Sequence, residues 1–275
     1  MAFQKTRTLR SIKANPALRG AYRRDITALI KEMCKDVSEG LLSAYEKNES
    51  RITQDAAPKT PSNRRRTPAE KMGWALESYY KRWQKRWEKE AERLAKKHIK
   101  AVNNRVYSSR YNELKELGFI IKLNPSRYTN ERFMGMVKEN AMLLKSIPEK
   151  YFDRVSTAVM RSVGSGMDRT MLQQELQATI HATEDRAMFI ARDQINKATQ
   201  SLAECTDRDL GLTEGIWIHV PGRKMSRKTH LAMNGKRFPL DEGLWDEQVR
   251  RKVKPSELWL CCCEYRPVIP DTWKA

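Results

Sequence analysis

The chain has 275 residues, enough to bury a core of its own in one or two domains, and its 53 Lys and Arg against 34 Asp and Glu leave a formal charge of +19. A surplus of that size speaks of polyanionic partners rather than of fold, with nucleic acid the first candidate. No run of about twenty apolar residues is present, which excludes a membrane-spanning helix, and the opening MAFQKTRTLR lacks the apolar centre of a secretory signal, so the chain is expected to stay in the cytosol where it is made.

In chain order, residues 20–48 place Ile26, Ile30, Met33, Val37 and Leu41 at helical spacing and predict one amphipathic helix. The stretch SRITQDAAPKTPSNRRRTPAEK follows, where Pro58, Pro61 and Pro68 break the period and mark a loop or linker. Residues 67–106 return to a helical period, with Leu76, Tyr80, Trp83, Trp87, Leu94, His98 and Ala101 on one stripe. Between Lys81 and Lys100 the other face carries nine Lys and Arg against three Glu, the densest basic surface in the chain.

Gly118 and Phe119-Ile120-Ile121 read as a helix end and a brief extended piece or turn. A helix is expected over about 129–145. Pro148 is then suited to the first position of a separate helix that turns Phe152, Val155, Val159 and Val163 inward and stops at Gly164 or Gly166. A short helix over 169–177 precedes Thr183, a plausible N-cap with Glu184 and Asp185 in the first turn. From there Met188, Ala191, Ile195, Ala198, Leu202 and Cys205 define the cleanest helix, closed by Gly211.

After Gly211 the period changes. GIWIHV has the β-branched and aromatic content of a strand, Asn234-Gly235 signals a tight turn between two short runs, and the apolar run 258–263, continuing to Ile269, predicts a further strand. The expected fold is therefore mainly α with a small α+β C-terminal domain: long amphipathic helices followed by a short antiparallel sheet. The expected organisation is an N-terminal helix with a basic, Pro-rich linker (1–66), a basic helical segment (67–136), and a C-terminal domain (137–275) with helices over 137–211 and a β-rich end over 212–275.

Two constellations could carry chemistry. Arg64, Arg65 and Arg66 in the linker, with Arg82, Lys85, Arg86, Lys89, Arg93, Lys96 and Lys97 on the helix, could neutralise phosphates, or could equally be solvated or face an acidic protein. Trp83 and Trp87 lie on the apolar stripe and are expected in the core rather than on a base. His219, His230, Cys261 and Cys263 have the ligand types of a zinc site. Their spacing argues against one: the histidines are far apart, and no Cys-x-x-Cys knuckle is present. Buried free thiols and a His230 that holds the turn by hydrogen bonds are the expectation, and no cofactor is expected. The sequence carries no paired carboxylates, phosphate-cradling Gly loop or nucleophile elbow, so no enzymatic activity is expected; a metal-dependent nuclease using scattered carboxylates such as Asp185 and Asp193 is the distant rival.

Four blocks in order, NAMLLKSIPEKYFDRVSTAVMRSV, RAMFIARDQINKATQSLAECTDRDLGL, IWIHVPGRKMSRKTHLAMNGKRF and PSELWLCCCEYRPV, resemble the phage Mu F-like head morphogenesis family over about residues 137–270. The motif positions are Arg192 and Asp193 in the second block, Arg227, His230, Asn234 and Gly235 in the third, and Cys261 and Cys263 in the fourth. Departures occur at Lys254, Ser256, Leu260 and Cys262, where the family often has His, Gly, Asn and Arg. The resemblance implies a minor structural protein of a tailed-phage head, associated with the portal inside the capsid and made in the host cytoplasm. Its implied partners are the portal protein or major capsid protein and packaged double-stranded DNA, with a part in head assembly and in packaging or ejection. A DNA-binding protein acting in packaging or ejection is the alternative.

Overall fold

The computed structural model describes residues 6–52, 67–122, 124–166, 168–221 and 226–273. Four long helices come first, α1 (Pro16–Ile52), α2 (Pro68–Glu116), α3 (Arg127–Gly164) and α4 (Arg169–Asp209). They are followed by β1 (Glu214–Ile218), the short α5 (Lys228–Met233), and β2 (Arg237–Pro239), β3 (Leu244–Asp246), β4 (Arg251–Val253) and β5 (Glu264–Pro267). The predicted class, long helices and then a small antiparallel sheet, is the observed one.

Helix boundaries follow from local chemistry. α1 begins earlier than its apolar period suggests because Pro16 occupies the first helical position and Asn15 Oδ1 accepts the Ala17 N–H at 2.7 Å. α2 opens on a capping box: Glu70 N–H donates to Thr67 Oγ1 at 3.2 Å while Thr67 N–H donates to Glu70 Oε2 at 2.7 Å. α3 is capped by Ser126 Oγ, which accepts the Thr129 N–H at 3.1 Å.

Three expectations need correction. Pro148 does not start a helix; α3 runs through it, giving up the single ladder bond that a missing N–H removes. Thr183 is not an N-cap. It lies inside α4, where its hydroxyl donates back to the Thr179 carbonyl at 2.7 Å, and the cap is Asp168, whose Oδ1 accepts the Met171 N–H at 2.9 Å. Residues 258–263 form a loop, and the strand begins only at Glu264.

The described residues fall into two compact units, one drawn from Met1–Tyr22, Ala95–Asn140 and Phe189–Ala275, the other from Arg23–Leu94 and Ala141–Met188. In the second unit the stripe Ile26, Ile30, Met33, Val37 and Leu41 is buried, as are Trp83 and Trp87, so the tryptophans are core residues. Tyr80 meets Phe152 edge-on at 5.3 Å, and Trp83 Nε1–H donates to Asp36 Oδ2 at 2.6 Å.

In the first unit, β1 is the centre of an antiparallel sheet ordered β2-β1-β5, with Ile216 opposite both Arg237 and Arg266. β3 and β4 form a separate two-stranded ribbon. The N-terminal segment joins the sheet edge: Leu9 N–H donates to the Pro267 carbonyl and Ile269 N–H to the Arg7 carbonyl, both at 2.9 Å. Trp217, Phe238 and Tyr265, one from each strand, pack edge-on on the buried face of the sheet, and Leu9, Leu202 and Val268 are also buried.

Beneath the sheet lies an ion pair that the local pattern of residues does not announce. Arg110, 1% exposed, donates from Nε and Nη2 to Asp207 Oδ1 and Oδ2 at 2.6 and 3.1 Å, and from Nη1 to Glu113 Oε2 at 2.6 Å. Tyr265 OH donates to Asp207 Oδ2 at 2.6 Å, so α2, α4 and β5 are joined through one carboxylate. Burial works against the Arg110 charge, but Asp207 and Glu113 outweigh it and hold the guanidinium protonated.

Candidate functional site

The motif residues separated along the chain converge on two short segments, the end of β1 and the loop 256–263. Arg192 and Asn196, one turn apart on α4, aim side-chain nitrogens at Cys262 Sγ, each at 3.3 Å. Asp193 Oδ1 accepts the Leu260 N–H at 2.5 Å. Arg227 donates to the Trp259 carbonyl at 3.0 Å, and Asn234 Oδ1 accepts the His219 N–H at 2.8 Å. Gly235, at φ +79°, donates its N–H to the Trp217 carbonyl at 2.8 Å.

That turn differs from expectation. Asn234 has φ −56° and ψ 129° and Gly235 a positive φ, the signature of a type II turn, and it joins α5 to β2 rather than strand to strand. The glycine is still required, since the second central position of this turn lies in the left-handed region.

His230, Cys261 and Cys263 come together at the centre. His230 Nδ1 lies 3.3 Å from Cys261 Sγ and 3.6 Å from Cys263 Sγ, and all three side chains are buried. His219 Nδ1 is 3.5 Å from Cys263 Sγ on the more open side, with its Nε2 3.0 Å from Ser226 Oγ. Separation along the chain hides this because β1 and β5 pair antiparallel, which sets Ile218 opposite Glu264 and carries His219 to Cys263. The other nitrogen of His230, Nε2, lies 3.1 Å from Asp246 Oδ2.

Asp246 has no counterpart in the sequence reading. It is fully buried at the end of β3, where Oδ2 accepts the Thr229 hydroxyl at 3.1 Å and Oδ1 the Gln248 N–H at 2.8 Å. Burial alone would raise its pKa; the backbone N–H of Gln248 and the Thr229 hydroxyl reverse that and hold it below the usual carboxylate range. A W-D pair closing a short strand carried the only local hint.

The loop that bears the cysteines is held in an unusual conformation. Ser256 and Leu260 have φ of +59° and +58°, in the left-handed region. These are two of the positions at which this chain departs from the resembled family, whose Gly and Asn adopt that conformation more readily. Ser256 offsets its strain by donating to the carbonyls of Cys261 and Cys263 at 3.2 and 2.9 Å.

The basic face of α2 is exposed at Arg82, Lys85, Arg86, Lys89, Arg93, Lys96 and Lys97, but several charges are engaged. Arg82 pairs with Asp36, Arg86 pairs bidentately with Glu32 at 2.6 Å for each bond, and Arg93 pairs with Glu90 at 2.7 Å. Sequence reasoning missed the first two pairs because Asp36 and Glu32 lie on α1, whereas Glu90 is on α2 itself. Arg64, Arg65 and Arg66 lie outside the described residues.

A cleft of about 230 Å³ in the first unit is lined by Arg132, Lys197, Lys254 and Glu204 among others. Its cations are committed: Lys254 to Glu204 at 2.7 Å, Lys197 to Glu139 at 2.6 Å and Arg132 to Ser201 Oγ at 2.8 Å. It has the character of a braced groove rather than an anion site.

No helix among the described residues is long and apolar enough to cross a membrane. No solved structure matches the chain. An uncharacterized protein of Haemophilus influenzae is 28% identical over 149 residues, 54% of this chain and 32% of the relative, so the chain spans about a third of the length of the curated relative it matches. A family model described as phage Mu protein F like protein matches residues 153–266, from the middle of α3 through β5. The stretch that contains the converging motif residues and the His–Cys cluster is thus the part of this chain that is phage Mu protein F-like.

Proposed function

We propose that the chain is a structural, morphogenetic protein of a tailed-phage head, held inside the capsid at the portal vertex and assisting head assembly and DNA packaging or ejection. The observation that carries this reading is the family match over residues 153–266. Supporting it, the motif side chains are engaged with the protein's own backbone and thiols, the pattern expected of residues that brace a structural loop. The test is to purify virions and DNA-free proheads and quantify this chain against the portal subunit by mass spectrometry. Low, fixed stoichiometry in both particles is the expected result, and absence from both overturns the assignment.

A second reading, direct contact with DNA, is favoured by the formal charge of +19 and by the exposed Lys85 and Lys89, which lie on the same face as the engaged Arg82 and Arg86. Replacing Arg82, Lys85, Arg86 and Lys89 by Gln should weaken retention on a DNA column and flatten the salt dependence of binding. Unchanged retention by the folded variant would remove this face from the DNA reading.

A further inference from the structure

From the geometry around His230 we infer that this chain binds one zinc ion through His230, Cys261 and Cys263, with His219 as the fourth ligand. Zinc prefers a tetrahedron of thiolate and imidazole, with Zn–S about 2.3 Å and Zn–N about 2.0–2.1 Å, and those bond lengths set each N···S edge of the tetrahedron at about 3.5 Å. Three of the four N···S edges of such a figure already have nearly that length, at 3.3, 3.6 and 3.5 Å, and His219, which lies outside the tight group of the other three, completes the set by turning toward them. The ligand atoms of His230, Cys261 and Cys263 all lie within 4.8 Å of one another.

The surroundings fit the same ion. A zinc-bound imidazole is normally oriented by a carboxylate or other acceptor at its second nitrogen. Asp246, fully buried, stands 3.1 Å from His230 Nε2 while His230 Nδ1 faces the two sulfurs. His219 repeats the arrangement, with Nδ1 toward Cys263 and Nε2 on Ser226 Oγ. Without an ion, two thiols and an imidazole crowd one buried spot in which every group can donate a proton and few are good acceptors. With it, both thiols become thiolates and both rings have defined tautomers. The loop 256–263 has no regular structure and two left-handed non-Gly residues, and the ion ties its cysteines to the end of β1 and to α5.

The inference stands apart from the head-assembly reading, because it concerns what holds this fold together. The test uses the full chain, expressed with zinc in the medium, purified under reducing conditions and dialysed. Metal analysis should return about one zinc per chain. Exchange with Co(II) should give the intense visible bands of a tetrahedral thiolate site and a sulfur-to-cobalt charge-transfer band. Cys263→Ser should abolish both. The Asp246→Asn variant, which keeps every ligand, should bind about 10- to 100-fold more weakly. Folded wild-type protein that holds only trace zinc and gives no tetrahedral cobalt spectrum overturns the inference, as does a thiol titration showing Cys261 and Cys263 joined as a disulfide.

Discussion

Arg110 and Asp207 offer a stringent test of the energetics under the sheet. Both side chains are essentially sealed from solvent, joined by two hydrogen bonds, and completed by Glu113 and Tyr265. Replacing Arg110 by Met leaves Asp207 buried without its cation and Glu113 with Arg10 alone; replacing Asp207 by Leu leaves the guanidinium with Glu113 alone and strands the Tyr265 hydroxyl. Breaking a buried pair from one side costs about 3–5 kcal/mol. For a chain of this size each kcal/mol moves Tm by roughly 2–4 °C, so each single variant should melt roughly 6–20 °C lower. The double variant removes both charges together and should be less destabilised than the sum of the singles by at least about 1 kcal/mol. Urea unfolding followed by circular dichroism, with m-values held equal, measures all four corners of the cycle. Single variants within about 1 kcal/mol of wild type, or strict additivity, would refute the view that this pair is a desolvated, mutually dependent unit.

Three other positions give sharp expectations. Burial raises the pKa of Asp193, against the lowering influence of the Leu260 N–H, Lys197 and Gln194, so the folded chain holds this proton more tightly than the unfolded one. Stability from this group is therefore present below the unfolded value of about 3.9 and lost as pH rises through the folded pKa; Asp193→Asn should stabilise near neutrality and do little in acid, and a destabilised variant at neutral pH would contradict this. Leu260→Asn should relieve a left-handed backbone and raise stability by about 1 kcal/mol in urea titration, whereas a loss would show that the leucine side chain outweighs the strain. Gly243 has φ +89°, and a Cβ there would sit 2.3 Å from the Val253 carbonyl oxygen; Gly243→Ala should destabilise by roughly 1–3 kcal/mol, and an unchanged melt would mean the β3–β4 ribbon can shift to make room.

The long helices were legible because their apolar residues recur on one face over many turns, so Ile26 to Leu41 and Trp83 to Trp87 identified buried sides without knowledge of their neighbours. Pro148 misled because a proline is at home at a helix start, yet α3 is long enough to absorb one lost ladder bond. Thr183 misled because it has acids after it, whereas Asp168 held the true cap behind a Gly-containing turn. The clamp residues around loop 256–263 were named through family resemblance, but their geometry was not, since it depends on a strand register that no local pattern encodes. Arg110, Asp207 and Asp246 were invisible for a related reason: a charged residue in a polar stretch looks the same whether it meets water or a buried partner on another element.

The pairing of residues 7–9 with 267–269, and of Ser11 with Glu264, has a consequence for biosynthesis. Residues 7–9 must wait until residues 267–269 have been synthesised before these hydrogen bonds can close, so this edge of the sheet forms late relative to β1. A chain cut short before Glu264 would leave β1 with one edge bare and Trp217 and Phe238 uncovered, a species fit for chaperones and proteases. The surface of the sheet unit is thereby tied to segments more than 250 positions apart, and neither segment alone can present it.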